Sequence, residues 1–462
     1  MDRWASAIDT AWLQLGTETN RMVVHGIVVV TGDLDLDVLR QRVADRWVAH
    51  YPGLRQRPTW PNGPLGPARW VDAAPDLAAH IRPAELEGPV DDAAVERFVG
   101  ELMSRPLPAD RPWWALHLVR GYRGSATAVV VSIHHGLADG VALNHLFHAL
   151  ADDAPDEDEG TRTVYAAAPE RRHGMRDLRL IGRSLPRRAV DLGQVLWRWP
   201  TSTGREDLAA TVRGIGASQA VLTRPRAEAD TALQGTLGTA KSARWTPPVP
   251  LDRIRSAGRR QGATVNDVLC AVVAGAIREY LTDADRADGT PPAAVPKLRA
   301  VMPTNLRPLD QRISHWLGNE FGLVLPTLPT DEPDPDRRVQ RMHTTMDRVK
   351  RTSQALIIFA AIATAGLGRP EWTRALVAQY AATATLIITN VPGPTRELEI
   401  AGHRVEDLVF WVPCSGRLAL GISILSYGGR VRLGVAADTA VLGGEDDVDR
   451  FAAILDRAQT AL

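Results

Sequence analysis

Apolar residues in this chain come in two kinds of block. Some are short continuous runs rich in Val and Ile, and others recur every three or four positions. Residues 22–31 (Met-Val-Val-His-Gly-Ile-Val-Val-Val-Thr) make the first run and predict a buried strand, broken by Gly32-Asp33. Residues 34–48 then carry Leu36, Val38, Leu39, Val43 and Val48 at helical spacing. The pattern further predicts a helix over 91–103, strands over 115–120 and 126–133 joined by a turn at 121–124, and a helix over 141–150.

The second half repeats the mixture. Helices are predicted over 251–261, 265–281 (capped by Thr264 or Asn266), 335–351 and 446–462. Strands are predicted over 300–304, 320–325, 385–389, 418–426 and 430–436, the last two joined as a hairpin through Tyr427-Gly428-Gly429. Between the halves, residues 152–159 are densely acidic and read as a solvated linker. Arg172, Arg176, Arg179, Arg183 and Arg187 then line up on one side of a helix. That stripe either lies solvated across two lobes or meets anionic lipid. The expected organisation is a lobe over 1–151, a linker and basic crossover helix over 152–217, and a second lobe over 218–462. Both lobes mix strands with helices, which places the chain in the α/β class (mixed α+β sheets).

The longest apolar run, residues 355–368, is shorter than the roughly 20 residues a spanning helix needs, so it predicts a buried helix, with an interfacial segment as the alternative. The first residues show no basic stretch followed by an apolar one, so no secretory signal is expected. Only Cys270 and Cys414 occur, too few for a disulfide framework or a Cys-rich zinc site, and a reducing cytoplasm fits. Lys+Arg and Asp+Glu balance at 54 each, which disfavours nucleic acid as a partner. A hydrophobic share of 45% with 23% charged residues excludes disorder or a fibrous chain as the main state.

The candidate chemistry lies in Ser132-Ile133-His134-His135-Gly136-Leu137-Ala138-Asp139-Gly140, after a predicted strand and before a predicted helix. Adjacent histidines on extended backbone point to opposite faces. They are poorly placed to share a metal, and no other His/Cys cluster has metal-like spacing, so no metal is expected. One reading is a pair of packed core histidines. The sharper one makes His135 a general base, with His134 supporting it and Asp139 orienting or holding the structure. An imidazole titrates near neutrality, so it can take a hydroxyl proton as the oxygen attacks an acyl carbon, a contribution of ~10²–10⁴-fold. Gly136 and Gly140 are expected to keep the turn slim so that substrate approaches closely. No Gly-x-Ser-x-Gly elbow, P-loop or post-strand GxGxxG is found, so hydrolase, NTPase and dehydrogenase readings have no support.

Residues 134–140 form an HHxxxDG pattern that resembles the superfamily of CoA-dependent acyltransferases, which includes chloramphenicol acetyltransferase and peptide-synthetase condensation domains. Further segments look like motifs of the bacterial wax ester synthase/diacylglycerol acyltransferase family. They are Pro112-Trp113-Trp114 (its PLW), Asn266-Asp267 (its ND), Val301 to Arg307 (its VPVSLR), Gly318-Asn319 (its GN) and Asn390-Val391-Pro392-Gly393-Pro394 (its SNVPGP). They keep the family's order over nearly the whole chain. The opening stretch from Asp9 departs from it, since Gly16 stands where a glutamate is expected unless Glu18 takes that place.

The resemblance implies a two-lobed chloramphenicol acetyltransferase-like fold with a channel between the lobes. It implies direct transfer of a long-chain acyl group from acyl-CoA, the co-substrate, to diacylglycerol or a long-chain alcohol, with no cofactor. His135 is then the base, Gly140 a turn residue, and Asn266, Asp267 and Asn390 substrate-binding. Asn266-Asp267 read equally as a helix cap, and the segment from Asn390 as a rigid turn. The tryptophans read as packing. Expected surroundings are the cytoplasm, with a peripheral seat on a membrane or lipid droplet left open. Two alternatives stand beside this: a same-fold enzyme for a specialised-metabolite alcohol or amine, and a non-catalytic lipid-binding member.

Overall fold

The computed structural model describes residues 2–61, 63, 67–154, 228–287, 294–307 and 313–462; the arginine stripe and most of the acidic linker lie outside them. The Val- and Ile-rich run becomes strand Val23–Val30, buried along its whole length because neighbours cover both faces. It pairs antiparallel with Ala126–His134 on one side and with His403–Trp411 on the other. Glu399–Ile400, Trp114–Tyr122 and Ile81–Pro83 complete this six-stranded sheet.

A second sheet runs in the order Phe321–Val324, Leu298–Asn305, Leu386–Pro392, Leu420–Tyr427, Arg430–Asp438, Lys241–Trp245, with two short strands at its margins. Its inner pairs, Leu298–Asn305 with Leu386–Pro392 and Leu386–Pro392 with Leu420–Tyr427, are parallel. Helix Val265–Ala287 packs on this sheet through Val268, Leu269, Val273 and Ile277. Thr264 caps it, since its hydroxyl accepts from the Asp267 N–H. The sequence expectation of mixed α/β sheets is met.

The two halves exchange structure. Strand His403–Trp411 lies within residues 218–462 yet joins the sheet of the first half. Helix Asp92–Ser104 of the first half covers the outer edge of Lys241–Trp245. The Lys241 N–H donates to Ser104 Oγ at 2.9 Å and the Trp245 N–H to Glu96 Oε1 at 3.1 Å. Two backbone donors of an otherwise open edge are thereby satisfied.

The apolar run forms helix Gln354–Gly366, which packs on helix Ala7–Gln14, itself buried at every position. A Cβ on Gly366 would stand 2.2 Å from the Ala7 carbonyl oxygen, so glycine is what lets the two helices touch. Among the described residues no helix is long and apolar enough to cross a membrane.

Candidate active site

The end of strand Ala126–His134 separates the two histidines. His134 is 5% exposed, its N–H donates to the Trp113 carbonyl at 3.0 Å, and its Nδ1 accepts from the Gly136 N–H at 3.0 Å. The Trp113 ring lies 4.5 Å away. Burial and the neighbouring His135 push its pKa down to about 3, so it is a neutral packing group. Trp114 is core as well: it is 1% exposed and its Nε1–H donates to the Leu54 carbonyl.

His135 turns the other way, onto a cavity between the two sheets. Its N–H donates to the Met22 carbonyl at 2.7 Å. Its ring stacks on Trp12 (centroids 5.3 Å apart, 19° between planes) and lies 5.3 Å from Phe321. Burial lowers its pKa, partly countered by a hydrogen bond to its own backbone carbonyl and by Asp139, Asn319 and Asp9, so the ring is neutral at neutral pH, as a base must be. Its Nδ1 meets Asn319 Oδ1 at 3.1 Å. Asn319 Nδ2 donates to Asp9 Oδ1 at 2.9 Å, and Asp9 is fully enclosed at the start of helix Ala7–Gln14.

Asp139 makes no hydrogen bond to the His135 ring; of the two roles expected of it, orienting and structural, its contacts are those of the structural one. It caps helix Gly140–Ala149, accepting from the Ala142 N–H at 3.0 Å. Its Oδ2 accepts from Arg307 Nη1 at 2.5 Å and from the Glu320 N–H at 2.8 Å. Arg307 also donates to the Gly318 carbonyl at 2.9 Å. One buried carboxylate therefore ties the histidine loop to the second half at two points. Gly136 serves packing, whereas Gly140 lies on the cavity wall beside Val391. A Cβ at Gly136 would stand 2.6 Å from Leu13 Cδ2, and one at Gly140 would stand 3.0 Å from Val391 Cγ2.

The cavity has room for about 150 Å³ and its walls are mainly apolar. Val24, Ile133, Leu143, Phe147, Leu408 and Phe410 come from the first sheet and helix Gly140–Ala149, and Phe321 and Leu425 from the second sheet. The polar lining comes from both halves: His25, His135, Asp139 and Asn144 from the first, and Asn305, Thr389 and Asn390 from the second. Asn390 is thus at the cavity. Asn266 is not on its wall; it stands behind Asn390, its Oδ1 accepting from Asn390 Nδ2 at 3.1 Å. Asp267 is also away from it, which corrects its expected place in substrate binding. Fully buried, it accepts from the Thr264 N–H at 2.9 Å and meets His343 Nδ1 at 2.8 Å, so it builds the helix start. Asn319, Arg307 and Asp9 were visible only as letters of motifs; their roles rest on contacts between distant segments.

The profile of the wax ester synthase/diacylglycerol acyltransferase catalytic domain matches residues 6–269, and that of the WS/DGAT C-terminal domain matches residues 317–457. The chain belongs to this family. This acyltransferase is 27% identical over 411 residues to a probable diacylglycerol O-acyltransferase of Mycobacterium tuberculosis, covering 85% of this chain and 83% of that one. Its fold matches the wax ester synthase/diacylglycerol acyltransferase of Marinobacter aquaeolei at a TM-score of 0.63, with 23% identity, over 99% of this chain and all of the other. It also matches the first condensation domain of the CDA synthetase at a TM-score of 0.60 and 18% identity, over 99% and 95% of the two chains. The two-lobed fold expected of the acyltransferase is therefore found.

Proposed function

We propose that this acyltransferase moves a long-chain acyl group from acyl-CoA to the hydroxyl of diacylglycerol or a long-chain alcohol, with His135 as general base. The observation that carries the reading is the cavity beside His135, whose walls are mainly Val, Ile, Leu and Phe and so suit an alkyl chain. His135 takes the acceptor's hydroxyl proton while that oxygen bonds to the thioester carbon. The carbon–sulfur bond then breaks and the proton passes to the leaving thiolate. Asn390, on the second-sheet wall, is the side chain to which donation to the oxyanion is assigned. Asn266 holds Asn390 rather than the substrate.

A lipid acceptor resides in a membrane or droplet, so the enzyme works as a peripheral protein at such a surface. Trp372, 64% exposed, and Leu367, 39% exposed, support this.

The test is CoA release from palmitoyl-CoA with dipalmitoylglycerol, hexadecanol or a short polar alcohol, beside His135→Ala. Release that needs a lipid acceptor and falls by ~10²-fold or more in the variant is expected. Release with the short polar alcohol alone would move the acceptor to a specialised metabolite.

A further inference from the structure

Asn319, together with the ring's hydrogen bond to the His135 carbonyl, sets which nitrogen of His135 does the work. The His135 carbonyl oxygen can only accept a hydrogen bond, and Asp9 Oδ1 acts as an acceptor here. Asn319 Nδ2 donates to both, at 3.0 and 2.9 Å, and the Asn319 backbone N–H donates to the same Asp9 oxygen at 3.1 Å. Any proton on Asp9 belongs to its other oxygen, which meets Ser6 Oγ at 2.7 Å. The amide group therefore has one orientation, and its Oδ1 faces His135 Nδ1 at 3.1 Å. An amide oxygen accepts only, so Nδ1 carries the ring proton and Nε2 keeps the lone pair.

The backbone points the same way. Leu317 and Gly318 both lie in the left-handed region, at φ +59° and +95°, although Leu317 is a buried branched residue. Such a conformation persists only where the surroundings over-determine it, and it gathers at functional sites. Here the Gly318 N–H donates to the Leu137 carbonyl at 2.9 Å and the Gly318 carbonyl accepts from Arg307. The strain lies at Leu317, Gly318 is pinned to the histidine loop on one side and to Arg307 on the other, and the next residue is Asn319.

We propose that Asn319, backed by the buried Asp9, is a positioning residue that fixes His135 in the tautomer with Nε2 free. The inference rests on His135 being the base. When the acceptor's O–H proton arrives at Nε2, the ring is doubly protonated and cationic until that proton passes to the thiolate. The Nδ1–H to Oδ1 bond strengthens over that interval because its donor is charged. With an amide between ring and carboxylate, the ring stays less basic than a carboxylate in direct contact would make it. That suits a base which must also give its proton back.

Two measurements test this. Long-range nitrogen–proton correlation NMR on wild-type protein labelled with ¹⁵N-histidine should show His135 protonated at Nδ1. Protonation at Nε2 would overturn the proposal with no variant needed. Kinetics with palmitoyl-CoA and the preferred acceptor should show Asn319→Ala lowering kcat by about 10- to 100-fold with little change in KM. Exchanging the pair, Asp9→Asn with Asn319→Asp, should raise the acid limb of the kcat/KM profile by about one pH unit, because a carboxylate then meets Nδ1. An unmoved acid limb in a folded double variant would overturn the proposal. His135→Ala separates the two levels: an inactive His135→Ala beside fully active Asn319→Ala removes the positioning role alone, whereas an active His135→Ala removes the base as well.

Discussion

Asp139 shows how one motif divides its labour between residues. Its carboxylate is 3% exposed and takes donors from Arg307, the Glu320 N–H and the Ala142 N–H. Asp139→Asn would leave the buried Arg307 charge with only the more distant Glu320 carboxylate, at 4.0 Å, a loss of up to about 3–5 kcal/mol. Urea titration should therefore show a large drop in unfolding free energy, while any protein that remains folded keeps the His135–Asn319 contact and turns over. His134→Ala should also cost stability more than rate, because its Nδ1 is already occupied by the Gly136 N–H. Equal loss of kcat from His134→Ala and His135→Ala, in folded proteins, would refute that division. The strand-loop-helix pattern made the split of the two histidines legible in advance, since successive residues of a strand face opposite ways. The partner of the His135 ring was not legible. Asn319 lies 184 positions away, and only the folded turn at Leu317-Gly318 brings it there.

The elements whose apolar pattern is local were readable, and those whose partners are remote were not. Ala126–His134 and Val265–Ala287 follow their periods, whereas His403–Trp411 carries an irregularity between Val405 and Asp407 that breaks the alternation of two. The contact of helix Asp92–Ser104 with strand Lys241–Trp245 is equally remote, and it carries a pH dependence. Glu96, which accepts from the Trp245 N–H, is pushed up to about 7, chiefly by burial, against the pull of Arg244. Its side chain is 13% exposed. An unfolded Glu96 titrates near 4.5, so between about pH 4.5 and 7 the folded protein holds a proton that the unfolded chain has lost. Stability is thus fully present below pH 4.5 and falls as pH rises to about 7, by about 2–3 kcal/mol. Glu96→Gln keeps an acceptor for Trp245 without the titration. The difference in unfolding free energy between wild type and Glu96→Gln should shift by that amount across the window. A constant difference would mean that Glu96 titrates normally.

At the scale of the whole molecule the open question is how an enzyme with no spanning helix among its described residues meets a lipid acceptor. The peripheral seat proposed above is assigned to the helices Gln354–Gly366 and Pro370–Ala381. The first buries Ile358, Phe359 and Ile362 against the core around Trp12 and leaves Leu356, Ile357 and Ala361 only half-covered. Trp372 and Leu367 stand exposed near its end, and Lys350, Arg351 and Arg369 flank the pair of helices. An exposed tryptophan with flanking cations suits an anionic bilayer interface, where the ring sinks to headgroup depth and the charges stay at the phosphates. The same helix packs on the one that carries Trp12 and Asp9, so a lipid seat there would lie against the elements that hold His135. Covering one large apolar side chain is worth about 1.5–3 kcal/mol, or roughly 10- to 100-fold in partitioning. Co-sedimentation with phosphatidylglycerol vesicles should therefore weaken by about that factor in Trp372→Ala and weaken again in high salt. CoA release with the lipid acceptor dispersed in detergent, where no bilayer has to be bound, should be unchanged in the same variant, since Trp372 is not on the cavity wall. Vesicle binding that survives Trp372→Ala would place the lipid contact on another face.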